Sequence, residues 1–224
     1  MGTIRQPVIV FLITSCLLAA SQVMAGAWPR DANDHFSATS FRYGIDPGAQ
    51  ASRLSTSYYH EFGLPNRRGI VFDLGMSSAR IDKAMVFYQL SVLGADQPWE
   101  MAAALGVGLV QGDVTLSPKL MIGRGLTIRS HPSWVEAAIS AQSNLATGDV
   151  AAKLDLTFGY SLKPGAKSYF QLFVYAPFAG APHIRFESST AIRLFKETWL
   201  DIGISTGVIP TTDRQVKIGL WTAF

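Results

Sequence analysis

The chain has 224 residues, of which 16% are charged, and its mean hydropathy is +0.21. A typical soluble domain has about 25% charged residues, so the composition favours a membrane protein. The 19 basic and 16 acidic residues are too evenly balanced to indicate a nucleic-acid-binding protein. The longest apolar run, residues 7–20, falls short of the roughly 20 apolar residues that a membrane-spanning helix needs.

Residues 1–25 have the three parts of a secretory signal. These are a basic start at Arg5, an apolar stretch over residues 8–20, and a small-residue exit that ends at Ala25. The pattern predicts export and cleavage after Ala25, so that the mature chain begins at Gly26.

A lipoprotein signal is the alternative interpretation, because residues 13–16 loosely fit a box that would place a lipid on Cys16. Apolar residues continue past Cys16, which favours cleavage after Ala25 instead. Cys16 is the sole cysteine, so the mature chain is predicted to contain no disulfide bond.

Residues 26–35 are predicted to form a periplasmic lead-in to a barrel that occupies the rest of the chain. From residue 36 onward, one parity of each segment is apolar and the other is small, polar or charged, which is the period-2 pattern of strands with two different faces. The clearest segment is residues 150–162, where the even positions are apolar and the odd positions include Lys153 and Asp155. Residues 36–44 leave open which face is apolar.

Eleven turn signals, among them Asp82-Lys83 and His131-Pro132, separate twelve predicted strands. These begin near residues 36, 51, 69, 85, 99, 114, 133, 150, 167, 184, 198 and 215. The repeat of about 14 to 19 residues exceeds the 8 to 12 of soluble sandwiches. The sequence therefore predicts an all-β fold: a single antiparallel up-and-down transmembrane barrel of twelve strands, or of ten or fourteen, with connections of at most about six residues.

The last segment ends in alternation, with Leu220 and Phe224 on the apolar parity. It resembles the final strand of Gram-negative outer-membrane β-barrel proteins, which closes with Phe as a signal for the barrel-assembly machinery. Thr222 departs from that pattern, because such signals usually carry an aromatic or aliphatic residue there. Residues 26–29 and 59–68 resemble small proteobacterial barrels. The resemblance implies an outer-membrane location, with membrane lipids and the assembly machinery as partners, and leaves the oligomeric state open.

The opposite parity supplies the candidate lumen residues, six basic and six acidic. They are Arg53, Glu61, Asp73, Lys119, Glu136, Lys153, Asp155, Arg185, Glu187, Arg193, Asp201 and Lys217. One interpretation is the selectivity lining of a channel. The other is a set of mutually neutralising pairs that fills the lumen. Aromatic residues near strand ends are candidates for membrane-interface girdles, or are scattered there by β propensity: Trp99, Trp134, Trp199, Tyr160 and Tyr175.

Catalytic signals are weak. Residues 203–207 match Gly-x-Ser-x-Gly, but they lie inside an alternating strand, whereas a nucleophile elbow needs a strand, a sharp turn and a helix. His35, His60, His131 and His183 lack the spacing of a helical metal site, so neither a metal nor a cofactor is predicted.

The leading functional hypothesis is a small-solute pore or a structural membrane component, rather than an enzyme. The first alternative is a membrane-embedded lipid-modifying enzyme, which requires a His and a Ser paired on one rim. The second is a soluble periplasmic barrel that binds an apolar ligand, in which the apolar parity would face inward.

Overall fold

The structure is a computed structural model that describes residues 26–46, 51–78, 80–93, 97–209 and 213–224. These residues form twelve antiparallel strands, each paired with the next, and β1 pairs with β12 to close the barrel. The twelve-strand prediction is therefore confirmed. The strands are β1 (His35–Asp46), β2 (Ala51–Leu64), β3 (Arg68–Ser77), β4 (Arg80–Ser91), β5 (Glu100–Val110), β6 (Asp113–Ile128), β7 (His131–Asn144), β8 (Val150–Lys163), β9 (Ala166–Ala176), β10 (His183–Phe195), β11 (Thr198–Ile209) and β12 (Arg214–Ala223).

Alternation along each strand separates the two faces of the barrel wall. In β11, Ile202 and Ile204 point outward and are exposed, whereas Asp201, Gly203 and Ser205 point inward and are buried. Large apolar side chains are exposed on every strand of the barrel, a surface far larger than the apolar patches that water-soluble monomers tolerate. The outside is therefore a lipid-facing band, and the hypothesis of a soluble barrel is wrong.

No described helix is long and apolar enough to cross a membrane.

Two boundaries differ from the predicted ones, because residues other than Gly and Pro supply the turns. Ser78, with φ 47°, precedes β4, so Asp82 and Lys83 lie within that strand. Arg129 and Ser130 both have positive φ and form a two-residue hairpin turn. The predicted break at His131-Pro132 is thus the start of β7.

The barrel has two distinct ends. The terminal end carries the start of β1, the end of β12 and the connections 65–67, 92–99, 129–130, 164–165 and 196–197. The opposite end carries the ends of β1, β3, β5, β7, β9 and β11 and the starts of the strands that follow them. The connection 92–99 is longer than the predicted limit of about six residues. It lies between β4 and β5, where the backbone N–H of Val92 still donates to the carbonyl of Met101 at 2.7 Å.

Candidate functional site

The structure places all twelve sequence-predicted charges on the inward parity of their strands. They fall into four environments: a buried ion network, a polar cavity, the ends of the lumen, and contacts with the N-terminal segment, which Glu61 and Glu136 make. Arg53, near the opposite end, and Arg193, near the terminal end, are exposed. Arg185 lies near the opposite end and pairs with Asp213 at 2.7 Å.

The buried ion network is built around Lys217 of β12, which is 4% exposed. Its Nζ lies 2.5 Å from Oε1 of Glu187 and 3.0 Å from Oδ2 of Asp201. It also donates to the Tyr169 hydroxyl at 2.8 Å, and that hydroxyl donates to Oδ1 of Asp201 at 2.7 Å. Arg42 adds a second cation, with its Nε 3.4 Å from Oε2 of Glu187. Two buried carboxylates thus share two cations, as burial requires.

Two members of this network were absent from the sequence-predicted set. Tyr169 lies on the inward parity of β9, and its alternation could have identified it. Arg42 lies in the segment whose faces the sequence left open. The structure orients that segment so that Ser40 points inward with Arg42, which donates to the Ser40 hydroxyl at 2.7 Å.

The polar cavity lies toward the opposite end of the lumen and has a volume of about 340 Å³. Its charged lining consists of Asp73, Lys83, Lys119, Lys153 and Asp155. Lys83 and Asp73 pair at 2.7 Å. Lys119, Lys153 and Asp155 form no hydrogen bond or ion pair with any described residue and line the cavity.

A second cavity, of about 280 Å³, adjoins the polar cavity deeper in the barrel. The two share Lys119, Asp155 and Phe173 as lining residues. The second cavity also reaches the buried network at Lys217 and the chain segment at Gly26. Inward space therefore extends from the opposite end to the middle of the barrel.

An N-terminal segment, residues 26–34, lies inside the terminal end of the barrel. Ala27 is fully buried and packs with four inward residues of β5, β6 and β7, namely Ala102, Ala104, Met121 and Ala138. The Trp28 ring lies over Gly123, where a Cβ would come within 2.3 Å of the ring. Small inward residues on these strands thus make the room that the segment fills. The lead-in predicted from the sequence is here an inserted plug.

Further contacts hold the plug to β2 and β1. Arg30 is buried, with its Nε 3.4 Å from Oε2 of Glu61, and its guanidinium lies 4.7 Å from the Phe36 ring centroid. The backbone N–H of Asn33 donates to the carbonyl of Gly63 at 3.0 Å. These contacts extend the plug from the wall of β2 across the lumen to β5, β6 and β7.

The other side of the terminal end is filled by aromatic rings. Phe36, Ala191 and Trp199 form a buried cluster against which Trp221 packs. Trp199 therefore points into the lumen, as does Trp134, which lines the inner cavity, and the girdle interpretation is wrong for both. Tyr175 lines the polar cavity. A position near a strand end does not fix a face, whereas the parity does, and Trp134 shares the parity of Glu136.

The described residues do not contain the pairing that a serine hydrolase requires. The Ser133 hydroxyl donates to the backbone carbonyl of His131 at 3.1 Å, and the His131 ring contacts the carbonyl of Ser161. Ser205 is buried within β11 and accepts a hydrogen bond from Arg185 at 3.3 Å. In the described part of the chain, no hydrogen bond joins a histidine ring to a serine hydroxyl.

The predicted assembly residues lie at the end of the chain, where β12 pairs with β1 to close the barrel. Leu220 and Phe224 are exposed on the lipid-facing side. The backbone N–H of His35 donates to the Phe224 carbonyl at 2.6 Å, and the N–H of Phe224 donates back to His35 at 3.0 Å. The His35 ring stacks on Phe224 with 5.2 Å between centroids.

Comparison with solved structures identifies the same architecture in known channels. The NanC porin is 11% identical, with 82% of this chain and 98% of that one covered and a TM-score of 0.62. The KdgM porin is 9% identical over 84% of this chain and 99% of that one, with a TM-score of 0.59. The COG4313 outer membrane channel from Pseudomonas putida F1 is 11% identical over 91% and 100%, with a TM-score of 0.58.

The chain has the fold of Gram-negative outer-membrane porins. At these sequence identities, the similarity shows the barrel fold and does not show which solute is transported. No protein-family model matches the sequence, and no curated protein matches it.

Proposed function

We propose that the protein is a narrow small-solute channel of the outer membrane, with its terminal end toward the periplasm. The observation that carries this proposal is the polar cavity together with the second cavity that adjoins it. Their charges at Lys119, Lys153 and Asp155 have no partner among the described residues. Free charges of this kind can interact with passing ions. The orientation follows from the general architecture of bacterial barrels, in which both termini lie in the periplasm.

The charges of the polar cavity favour anions weakly. Lys83 and Asp73 neutralise each other at 2.7 Å. Lys119 and Lys153 then face a single carboxylate, that of Asp155. One excess positive charge in a narrow lumen raises the local concentration of anions, so the channel should prefer them.

The test is single-channel recording of the purified barrel in planar bilayers under a salt gradient. Wild type should give discrete conductance steps and a reversal potential that indicates anion preference. Lys153→Glu should move the reversal potential toward cation preference, whereas Lys196→Glu, in the exposed turn 196–197, should leave it unchanged. Folded barrels without conductance would contradict the channel and favour a structural membrane role instead.

We also propose that the chain is exported with cleavage of its signal after Ala25. Residues 1–25, which carry the predicted signal, lie outside the described residues, so N-terminal sequencing of the mature protein should find Gly26. A lipidated Cys16 would contradict the predicted cleavage site.

The barrel-assembly machinery would read the last strand at Leu220 and Phe224, both of which are exposed on its lipid-facing side. Deletion of Phe224 should impair outer-membrane insertion far more than Ala223→Ser does. Membrane fractionation and heat-modifiable gel migration would measure insertion. Normal insertion of the shortened chain would contradict this role.

A further inference from the structure

The deepest contact of the plug is between Gly26 and Glu136. A Cβ built on Gly26 would lie 2.1 Å from Oε1 and 3.0 Å from Oε2 of Glu136, so the carboxylate lies directly against the Cα of Gly26. The backbone N–H of Ala27 donates a hydrogen bond to the same carboxylate. Gly26 has φ +106°, which an L side chain rarely adopts. Both the conformation and the space at this position therefore require glycine.

The other side of Gly26 is also held. Its carbonyl accepts a hydrogen bond from Nε2 of Gln89 at 2.8 Å, and Gln89 is buried. The residue is thus fixed between an amide donor on β4 and a carboxylate on β7. Its nitrogen is bonded to the Cα that the carboxylate contacts.

No cation of the described residues lies at contact distance from Glu136. It lines the inner cavity together with Lys119 and Asp155. Lys119 attracts the carboxylate across the cavity without forming an ion pair with it. A carboxylate placed away from bulk water is stabilised by a charged partner with hydrogen-bonding geometry.

We propose that Glu136 is the binding site for the α-ammonium group of the mature N-terminus. Hydrolysis of the Ala25–Gly26 peptide bond leaves a carboxylate on Ala25 and a protonated amine on Gly26, beside Glu136. That amine pairs with the carboxylate and holds the plug, residues 26–34, in the terminal end of the lumen. Signal cleavage thereby creates the group that anchors the plug. The inference rests on the predicted cleavage site and is independent of what the channel transports.

Hydrogen exchange of the N-terminal peptide in the purified, folded barrel tests the pair, since exchange there reports undocking of the plug. Glu136→Gln removes the charge of the acceptor. Insertion of one alanine between Ala25 and Gly26 moves the amine by one residue and leaves every lumen side chain intact. Each change should speed exchange by about tenfold, and the double variant should exchange no faster than either single one, because both remove the same interaction.

Asp73→Asn is the matched control, because Asp73 is a lumen carboxylate that lines the polar cavity, is not among the charges that act on Glu136, and does not contact Gly26. It should leave the exchange of residues 26–34 unchanged. The proposal is overturned if either single variant exchanges at the wild-type rate, if the two effects multiply in the double variant, or if the purified chain does not begin at Gly26. Should Glu136→Gln fail to fold, wild-type exchange in the alanine-insertion variant alone would overturn it.

Discussion

The two halves of the lumen use the same inward parity for opposite purposes. In the terminal half, the plug and the rings of Trp199 and Trp221 crowd the interior, and the network at Lys217 lies in the middle of the barrel. In the opposite half, Lys153 and Asp155 line an open cavity without partners among the described residues. A single barrel wall thus encloses a packed core at one end and a polar vestibule at the other.

Strand β8 shows the change from one half to the other within a few residues. Lys153 and Asp155 face the polar cavity. Gly159, two inward positions beyond Asp155, lies beneath the Trp134 ring, and a Cβ there would come within 2.1 Å of it. The inward residue type therefore determines whether a cavity or a packed side chain lies at each level of the barrel. Substitutions in the terminal half should affect folding, and those in the opposite half should affect conduction.

The largest difference is expected between Lys217 and Lys153. Lys217→Met leaves the buried carboxylates of Glu187 and Asp201 without their shared cation, which should cost about 3 to 5 kcal/mol of folding free energy. Lys153→Met removes a charge that lines the polar cavity and pairs with no described residue, and it should change stability by less than about 0.5 kcal/mol. Denaturant-induced unfolding in detergent, followed by gel mobility, measures both. Equal losses would show that the network at Lys217 and the polar cavity are not packed differently.

The next largest effect is expected between a lipid-facing and an inward residue of the same strand. Leu156 is exposed on the outside of β8, and Leu156→Arg should cost about 2 to 4 kcal/mol if it lies near the bilayer midplane. Lys153→Arg, on the inward parity of the same strand, should be tolerated because a charge already stands there. Refolding into lipid vesicles compares the two. Tolerance of Leu156→Arg would contradict a lipid-facing outer surface.

The fold was predictable because strand periodicity is a local property of the sequence. Each inward charge shares its parity with small residues, as Lys153 and Asp155 do with Gly159, so the face of each side chain followed from counting along the strand. The turn at Arg129 and Ser130 was placed two residues late, because neither residue type indicates positive φ. The pairing of β6 with β7, which places Ile128 opposite His131, imposes that conformation.

The site was less predictable because its occupants come from distant parts of the chain. The plug lacks alternation and contains Pro29, so nothing local indicates that it docks inside the barrel. Its burial depends on small residues more than 70 positions away, including Ala102 and Gly123. Likewise, parity alone does not distinguish a buried partner such as Tyr169 from a free residue such as Lys119. That distinction depends on which strands face each other across the lumen.

A smaller effect is expected from a larger side chain in the buried part of the plug. Ala27 is fully buried among alanines and Met121, so Ala27→Phe should cost about 1 to 3 kcal/mol in the docked state. Since β1 and β12 close the barrel without the plug, the change should appear as larger conductance rather than as unfolding. Ala146→Phe, in the exposed turn 145–147, is the control. Unchanged conductance in Ala27→Phe would argue against the plug as an obstruction.

The smallest effect on stability, and the one most informative about conduction, is expected for Asp155→Ala. Asp155 faces both cavities and has no hydrogen-bonded or ion-pair partner among the described residues, so its removal should change the folding free energy by less than about 0.5 kcal/mol. It is the acidic residue that opposes Lys119 and Lys153 in the polar cavity. Its loss should therefore shift the reversal potential further toward anions.

The same variant distinguishes the two interpretations of the lumen charges. If Asp155 neutralised a buried cation, Asp155→Ala would leave that cation unpaired and destabilise the barrel by several kcal/mol. If Asp155 is solvated, stability holds and only selectivity changes. Unfolding midpoints and reversal potentials from one preparation give both readings. Lost stability together with unaltered selectivity would assign the opposite half to the packed core as well, and would remove the basis for a channel.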